Sequence, residues 1–366
     1  MKKLISLLLV LAMAVSLAAC GAKEPAPTTA APTQAPTVAT EAPTEAPTTE
    51  PTTVPTEPQV YFNPLNGEIL DEPFTGRIYA NTISNIPDAL PHVGVVKADI
   101  LMEMFVNNSI IRCLALFSDL SDVDAIGSTR STRLMFNDIA QHYDAILSHA
   151  NGSSLVRKDF TERGIDNINL DNWEIAQTGA SYRDTEYKYG EHNLFGVGPG
   201  IMAYAESQGM RMTSDPDKDY GLRFTEDGTP ADGEAASQVN INITYGNAHK
   251  ETVMVYNEEL GKYVYNQYGK EMHDQITDEV EAFENVLVMY ADISVETTRN
   301  MYHQADFLAG GEGYFACGGK IIPITWTCDA EDEPFRFFTQ SGDPLYLGQG
   351  NTYIAIAHPD SEVTWQ

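Results

Sequence analysis

Three arginines stand close together in a chain that spends few basic residues. Arg112, Arg130 and Arg133 are the only lysines or arginines between Lys97 and Arg157. Two of them lie in the run Gly127-Ser128-Thr129-Arg130-Ser131-Thr132-Arg133, just ahead of an apolar pattern of helical spacing. A helix start offers unpaired backbone N–H groups and a partial positive charge, and a guanidinium meets a carboxylate or phosphate with two parallel donors. Arg112, Arg130, Ser131 and Arg133 can therefore hold an anion. The same residues also allow a structural reading, in which Ser131 or Thr132 caps the helix and the arginines pair with Asp119, Asp122 or Asp124.

Two further groups could join such a site. Glu103 and Arg112 fall on two apolar strands, and a turn centred on Asn107-Asn108 places them directly opposite each other, as an ion pair or as a polar couple presented on one sheet face. Arg183, His192 and Asn193 belong to a polar stretch, where a histidine can serve as acid, base or ligand near neutral pH or simply pack. His149 is open to the same two readings.

The elements that must carry these residues follow from periodicity. Ile100–Val106 and Ile110–Phe117 are expected to form buried strands. Leu134, Met135, Ile139, Ala140 and Tyr143 mark a helix, and Ala145–His149 a short strand. Ser153-Ser154 caps a second helix that Gly164 stops, and Pro199–Gln208 forms a third, ended by Gly209. Beyond residue 235 strand follows strand, starting with the alternation of Val239, Ile241 and Ile243. The expected fold class is α+β: an N-terminal mixed α/β sandwich-like domain at 60–212, a linker or loop at 213–236, and a β-rich, mainly antiparallel C-terminal domain at 237–366.

Residues 1–59 read differently. Lys2-Lys3, the apolar run Leu4–Leu17 and Leu17-Ala18-Ala19-Cys20-Gly21 form a signal peptide at 1–19 closed by a lipobox, which makes Cys20 the acylated first residue. The apolar run is too short for a stable transmembrane helix. Residues 20–59 are almost wholly Pro, Thr, Ala and Glu, a disordered tether that reaches on the order of 100 Å in polyproline II. The expectation is an extracytoplasmic protein, lipid-anchored through Cys20 to the outer face of the bacterial cytoplasmic membrane.

Charge and cysteines narrow the function classes. The chain has 22 basic and 52 acidic residues, a formal net charge of −30, and loss of Lys2 and Lys3 makes it more negative still. Nucleic acid and anionic lipid surfaces are repelled, so any anion must be caught by a few placed cations. With Cys20 acylated, Cys113, Cys317 and Cys328 remain. A turn at Gly318-Gly319 or Gly319-Lys320 sets Cys328 far up the strand opposite Cys317, which favours free thiols over a bridge. Asp215, Asp217, Asp219 and Glu226 imitate a calcium loop, but the glycine comes late, at Gly221, and Pro216 interrupts it. No metal or cofactor is expected.

The chain resembles the YerB-like lipoproteins. The resemblance rests on Pro91–Phe117 with Ala98-Asp99, Glu103 and Arg112; on Gly127–Arg133; on Tyr143–Ser153; on Arg183 with His192-Asn193-Leu194; on Asn285–Val288; and on Gly318–Ala357 with Trp326 and Gly348. Leu90-Pro91-His92-Val93-Gly94 departs from the family's Arg-Pro-Gln-Ser-Gly, and Asn107–Ile110 from its Gly-Gly turn. The resemblance implies an N-terminal α+β domain and a C-terminal β-rich one, without an activity. The expected function is binding of a phosphate- or carboxylate-bearing envelope ligand through the arginine cluster with Glu103, His192 and Asn193. Two alternatives stay open. One is an enzyme on a phosphorylated glycan or lipid-linked substrate, with His192 or Glu103 as base and a distant likeness to LytR-type phosphotransferases that lacks their Arg-Asp signature. The other is a protein-binding scaffold of the envelope.

Overall fold

The structure is a computed structural model that describes residues 60–366 apart from 108, 187–189 and 296–301. The expected signal peptide, Cys20 and the tether lie outside the described residues.

An eleven-stranded mixed sheet runs through the folded part. From the N-terminal half it takes β1 (Tyr79–Ser84), β2 (Ile100–Phe105), β3 (Ile111–Phe117), β4 (Ile146–His149) and β5 (Asn167–Asn169). Helix α1 (Leu134–His142) precedes β4 and helix α2 (Ser154–Arg163) follows it. Strands β6 (Ser181–Arg183) and β7 (Leu194–Gly196) and helix α3 (Gly198–Ser207) lie beside this half of the sheet. Strand β8 (Glu234–Ala235) then forms one edge of the large sheet.

A second, six-stranded sheet holds β9 (Gln238–Tyr245), β10 (Ala248–Asn257) and β11 (Lys262–Gln267). The chain returns to the large sheet with β12 (Asn285–Tyr290), β13 (Gly311–Cys317), β14 (Lys320–Thr327), β15 (Arg336–Thr339) and β16 (Thr352–Ala357), and ends with β17 (Glu362–Trp365) on β9 of the small one.

The large sheet is ordered β8-β14-β13-β12-β16-β2-β3-β1-β4-β5, with β15 beside β14. Strand β16, late in the chain, pairs parallel with β12 on one side and with β2 on the other, so the two halves of the sequence share one hydrogen-bonded sheet. Most other ladders of the C-terminal half are antiparallel, giving the α+β fold with a β-rich C-terminal part. The segment 213–236 contributes β8 and buries Tyr220 and Leu222.

Both faces of the large sheet are covered, so its strands read as continuous apolar runs. Leu101, Phe105, Ala115, Val288 and Ala355 face the small sheet and the α3 region, packing with Val239, Ile241, Tyr263 and Tyr265. Met102, Met104, Leu114, Leu116, Leu287 and Ile354 face the opposite layer, built from α1, α2 and the aromatic residues Trp326, Phe335 and Phe337. Strand β9, covered on one face only, alternates buried and half-exposed residues from Val239 to Ile243.

The local signals act as their chemistry requires. Ser153 Oγ accepts from the Val156 amide at 3.3 Å to cap α2, and Gly164 ends that helix at φ +66°, a left-handed conformation suited to glycine. Helix α1 starts differently from expectation: its N-cap is Arg133, in extended conformation and without a side-chain cap. Neither Ser131 nor Thr132 caps it; the Thr132 hydroxyl lies instead 3.2 Å from Asn137 Oδ1. Cys113, Cys317 and Cys328 are buried free thiols, with Cys317 opposite Lys320 at the turn and Cys328 beyond the far end of that ladder.

Candidate functional site

The β2–β3 pairing decides where the charged strand residues go. Glu103 lies opposite Cys113, and Met104 opposite Arg112. Asn107 Oδ1 accepts the amides of Ser109 and Ile110 at 3.1 and 2.9 Å, and the Val106 amide bonds the Ile110 carbonyl, so the connection is longer than a turn centred on Asn107-Asn108. This corrects the direct Glu103–Arg112 pairing expected from the sequence. Shifting the register by one residue turns a side chain to the other face, and the two charges end on opposite sides of the sheet.

On the α1 side, the arginines do converge. Arg112 Nη1 donates to the Ser131 carbonyl at 2.5 Å, and Arg133 Nη1 donates to the same carbonyl at 3.3 Å and to that of Thr132 at 2.8 Å. The Arg133 guanidinium sits 4.3 Å above the Tyr302 ring. Arg130 reaches the Glu191 carbonyl and its carboxylate, both at 2.8 Å. The segment between them is fixed from both sides, since the Arg130 amide bonds the Thr82 carbonyl and the Thr132 amide that of Asn151.

The cluster is electrostatically unbalanced. Arg112 and Arg133 are 4 % and 6 % exposed, and among the described residues neither forms an ion pair with a carboxylate; the Asp119, Asp122 and Asp124 partners considered from sequence are not used. The Nε atom of each is buried without a hydrogen-bond partner. Burial first, then the charges of Arg133 and Arg130, push the Arg112 guanidinium well below its usual range; burial likewise lowers Arg133. Glu191, the acid that the described residues bring to the cluster, is held below its usual range by the hydrogen bond from Arg130 and is itself 68 % exposed.

The remaining sequence candidates fall elsewhere or at the margin. Arg183, at the end of β6, forms an ion pair with Asp171 and donates to Asn193 Oδ1 at 2.6 Å; this pair borders a cleft of about 410 Å³ with Trp173 and Tyr182. His192 is buried next to Glu191, with its Nε2 at 4.0 Å from that carboxylate. His149 is a packing residue, bonded to the Asn151 carbonyl and Asn167 Oδ1 and stacked on Phe160.

Glu103 lies in a second polar cluster, fully buried between the two sheets. Its Oε1 accepts from Lys250 Nζ at 2.5 Å and from Asn85 Nδ2; its Oε2 accepts from Thr252 at 2.8 Å and from the Tyr353 hydroxyl. The Tyr265 hydroxyl, 3.2 Å from Oε1, also receives Asn85 Nδ2 at 3.1 Å and Lys250 Nζ at 3.2 Å. His92 extends the chain, with Nε2 at 3.1 Å from Asn85 Oδ1 and Nδ1 at 3.0 Å from the buried Glu281 carboxylate. Burial pushes the Lys250 ammonium down and the Tyr265 and Tyr353 hydroxyls well up. Asn85, His92, Lys250, Tyr265, Glu281 and Tyr353 escaped the sequence reading. The available signal was a lysine on the buried phase of β10, between the exposed His249 and Glu251.

Comparison with known proteins places the chain. Residues 65–211 match the family described as "Protein of unknown function (DUF3048) N-terminal domain", and residues 241–354 match its C-terminal domain. A candidate lipoprotein, YerB of Bacillus subtilis (strain 168), is 24 % identical over 267 residues, which is 72 % of this chain and 77 % of that protein. The crystal structure of YerB from Bacillus subtilis superposes with a TM-score of 0.70 at 22 % identity, covering 83 % of this chain and 99 % of that one. That likeness carries the fold.

Proposed function

The chain belongs to the YerB-like DUF3048 family, and from that premise we propose that it is a membrane-anchored extracytoplasmic lipoprotein whose arginine cluster holds an anionic ligand of the cell envelope. The observation that carries the reading is the pair Arg112 and Arg133. They are two buried guanidinium groups bound to one carbonyl oxygen, without a carboxylate partner among the described residues, in a chain of net charge −30. An unpaired buried charge is costly. A phosphate or carboxylate entering beside Ser131 offsets that cost by accepting from nitrogens that the protein leaves free, each charge-assisted bond being worth roughly 1.5–3 kcal/mol.

Anchoring follows from Cys20 and is supported by the lipoprotein name that YerB carries. Among the described residues no helix is long and apolar enough to cross a membrane. Cys20→Ala is expected to move the protein from the membrane fraction to the soluble one.

Ligand binding is tested by thermal shift of the full chain with inorganic phosphate, citrate and soluble muropeptides, in wild type and Arg130→Ala. A shift in wild type that shrinks several-fold in the variant supports the site. Equal shifts in both proteins, or none in either, remove it.

A further inference from the structure

The buried cluster between the sheets brings together an amine, a carboxamide and a carboxylate. We propose that Lys250 and Asn85 become joined by an autocatalytic intramolecular isopeptide bond, with Glu103 as the proton carrier. This inference is independent of the arginine cluster, which lies on the other face of the sheet.

Geometry supplies the first argument. Lys250 Nζ and Asn85 Nδ2 share two hydrogen-bond partners, Glu103 Oε1 and the Tyr265 hydroxyl, so the amine and the carboxamide are at most about 6 Å apart, two hydrogen-bond lengths end to end. Bonding distance is reached by a shift of the Lys250 side chain toward Asn85 Cγ. Asn85 is held at its main chain by the Tyr268 hydroxyl, 2.9 Å from its carbonyl, and Thr252 and Tyr353 fix the far oxygen of Glu103. The reacting groups therefore hold their orientation before any bond forms, the condition under which an intramolecular step gains most.

The surroundings supply the second. Asn85, Glu103, Tyr265 and Tyr353 are buried, and Lys250 is 4 % exposed. Water that would protonate the amine or hydrolyse an intermediate is excluded. Burial also favours the neutral amine over the ammonium, and the 2.5 Å bond to Glu103 Oε1 gives the departing proton its destination. His92 Nε2 lies 3.1 Å from Asn85 Oδ1, with the Glu281 carboxylate behind the ring, so a proton on that nitrogen polarises the carbonyl to be attacked.

The step balances without any co-reactant. Lys250 gives a proton to Glu103, and its lone pair attacks Asn85 Cγ; the C=O electron pair moves onto Oδ1, facing His92. Glu103 takes a second proton from Nζ as it hands the first to Nδ2. The intermediate collapses, the C–Nδ2 bond breaks, and ammonia leaves with that electron pair, taking the last proton from Glu103 as ammonium. Glu103 returns to carboxylate. The new amide joins the residue that follows β1 in the large sheet to β10 of the small one, a covalent tie across the sandwich core that resists unfolding and proteolysis outside the cell.

Peptide mass spectrometry of the denatured, trypsin-digested full chain tests this. The expected result is loss of cleavage after Lys250 and a branched peptide joining Lys250 to Asn85, lighter by one ammonia than its two linear parts. Glu103→Gln is expected to restore the linear peptides. Asn85→Asp is expected to give the same branched product with loss of water, which keeps the test decisive should the Glu103 variant fail to fold. Linear peptides carrying free Lys250 and Asn85 in the wild-type digest overturn the proposal, as does a branch from Lys250 to Glu103.

Discussion

Glu103 and Arg112 sit on adjacent strands yet on opposite faces of the same sheet, since Glu103 faces Cys113 and Arg112 faces Met104 across the ladder. The sheet thus separates two polar centres that its strands carry side by side. Glu103 meets Lys250 and is satisfied on both oxygens, whereas Arg112 bonds a carbonyl oxygen, has Arg133 and Arg130 as neighbouring charges and forms no ion pair with a carboxylate among the described residues. One centre is closed and balanced within the protein; the other is open in charge.

That imbalance predicts a trade between stability and binding. Arg112→Met removes a buried cation that repels Arg133 and Arg130, and the Ser131 carbonyl keeps Arg133 as a donor. The ligand-free variant is expected to be at least as stable as wild type, with a gain of about 1 kcal/mol or more in urea denaturation, because replacing a poorly compensated buried charge by an apolar side chain of similar size is often favourable. Phosphate binding should be lost in the same protein. A loss of several kcal/mol in stability would show that Arg112 is a structural residue.

Glu191 should compete with the ligand. Its carboxylate holds Arg130 at 2.8 Å from an exposed position, and an exposed pair of this kind is worth about 0.2–1 kcal/mol. Glu191→Gln frees Arg130 and is expected to tighten phosphate binding by roughly two- to five-fold in calorimetric titration. An unchanged or weaker affinity places the ligand away from Arg130.

Tyr302 braces Arg133 from one side, with the guanidinium 4.3 Å from its ring centre. A cation–π contact needs the ring and not the hydroxyl, and contributes about 0.5–2 kcal/mol. Tyr302→Phe is expected to bind phosphate like wild type, and Tyr302→Leu several-fold more weakly, with a loss of thermal stability that matches the lost cation–π contact. Equal loss in both variants would point to the hydroxyl instead of the ring.

Local signals of the sequence carried through to the fold where a single residue decides the outcome. Ser153 caps α2, Gly164 stops it, and the alternation of Val239, Ile241 and Ile243 marks a strand with one buried face. The arginine cluster was legible because Arg130 and Arg133 are near neighbours and Arg112 stands out in an apolar strand. The fate of Glu103 was not, because one added residue in the β2–β3 connection reverses the face of every side chain. Nor does the sequence announce that β16 inserts between β12 and β2, or that Lys250 arrives over Glu103, since both depend on contacts between segments far apart in the chain. Arg183 and Asn193 looked like site residues but turn toward each other and Asp171.

Acid sensitivity should trace to His142. Its ring is buried against Phe307 and Phe335, with Nε2 at 3.6 Å from Cys328 Sγ, and burial, followed by the charges of Arg163 and Lys218, lowers its pKa to about 3. The unfolded chain binds this proton near pH 6.5 and the folded one does not. The stabilisation is therefore complete above about pH 6.5 and is lost as pH falls from there toward 3, at up to about 1.4 kcal/mol per unit. His142→Leu keeps an apolar side chain in the aromatic pocket and removes the titration. Between about pH 7 and pH 5, wild type is expected to lose about 2 kcal/mol more than the variant in urea denaturation. Identical pH slopes for the two proteins would mean that His142 takes up its proton in the folded state as readily as in the unfolded one.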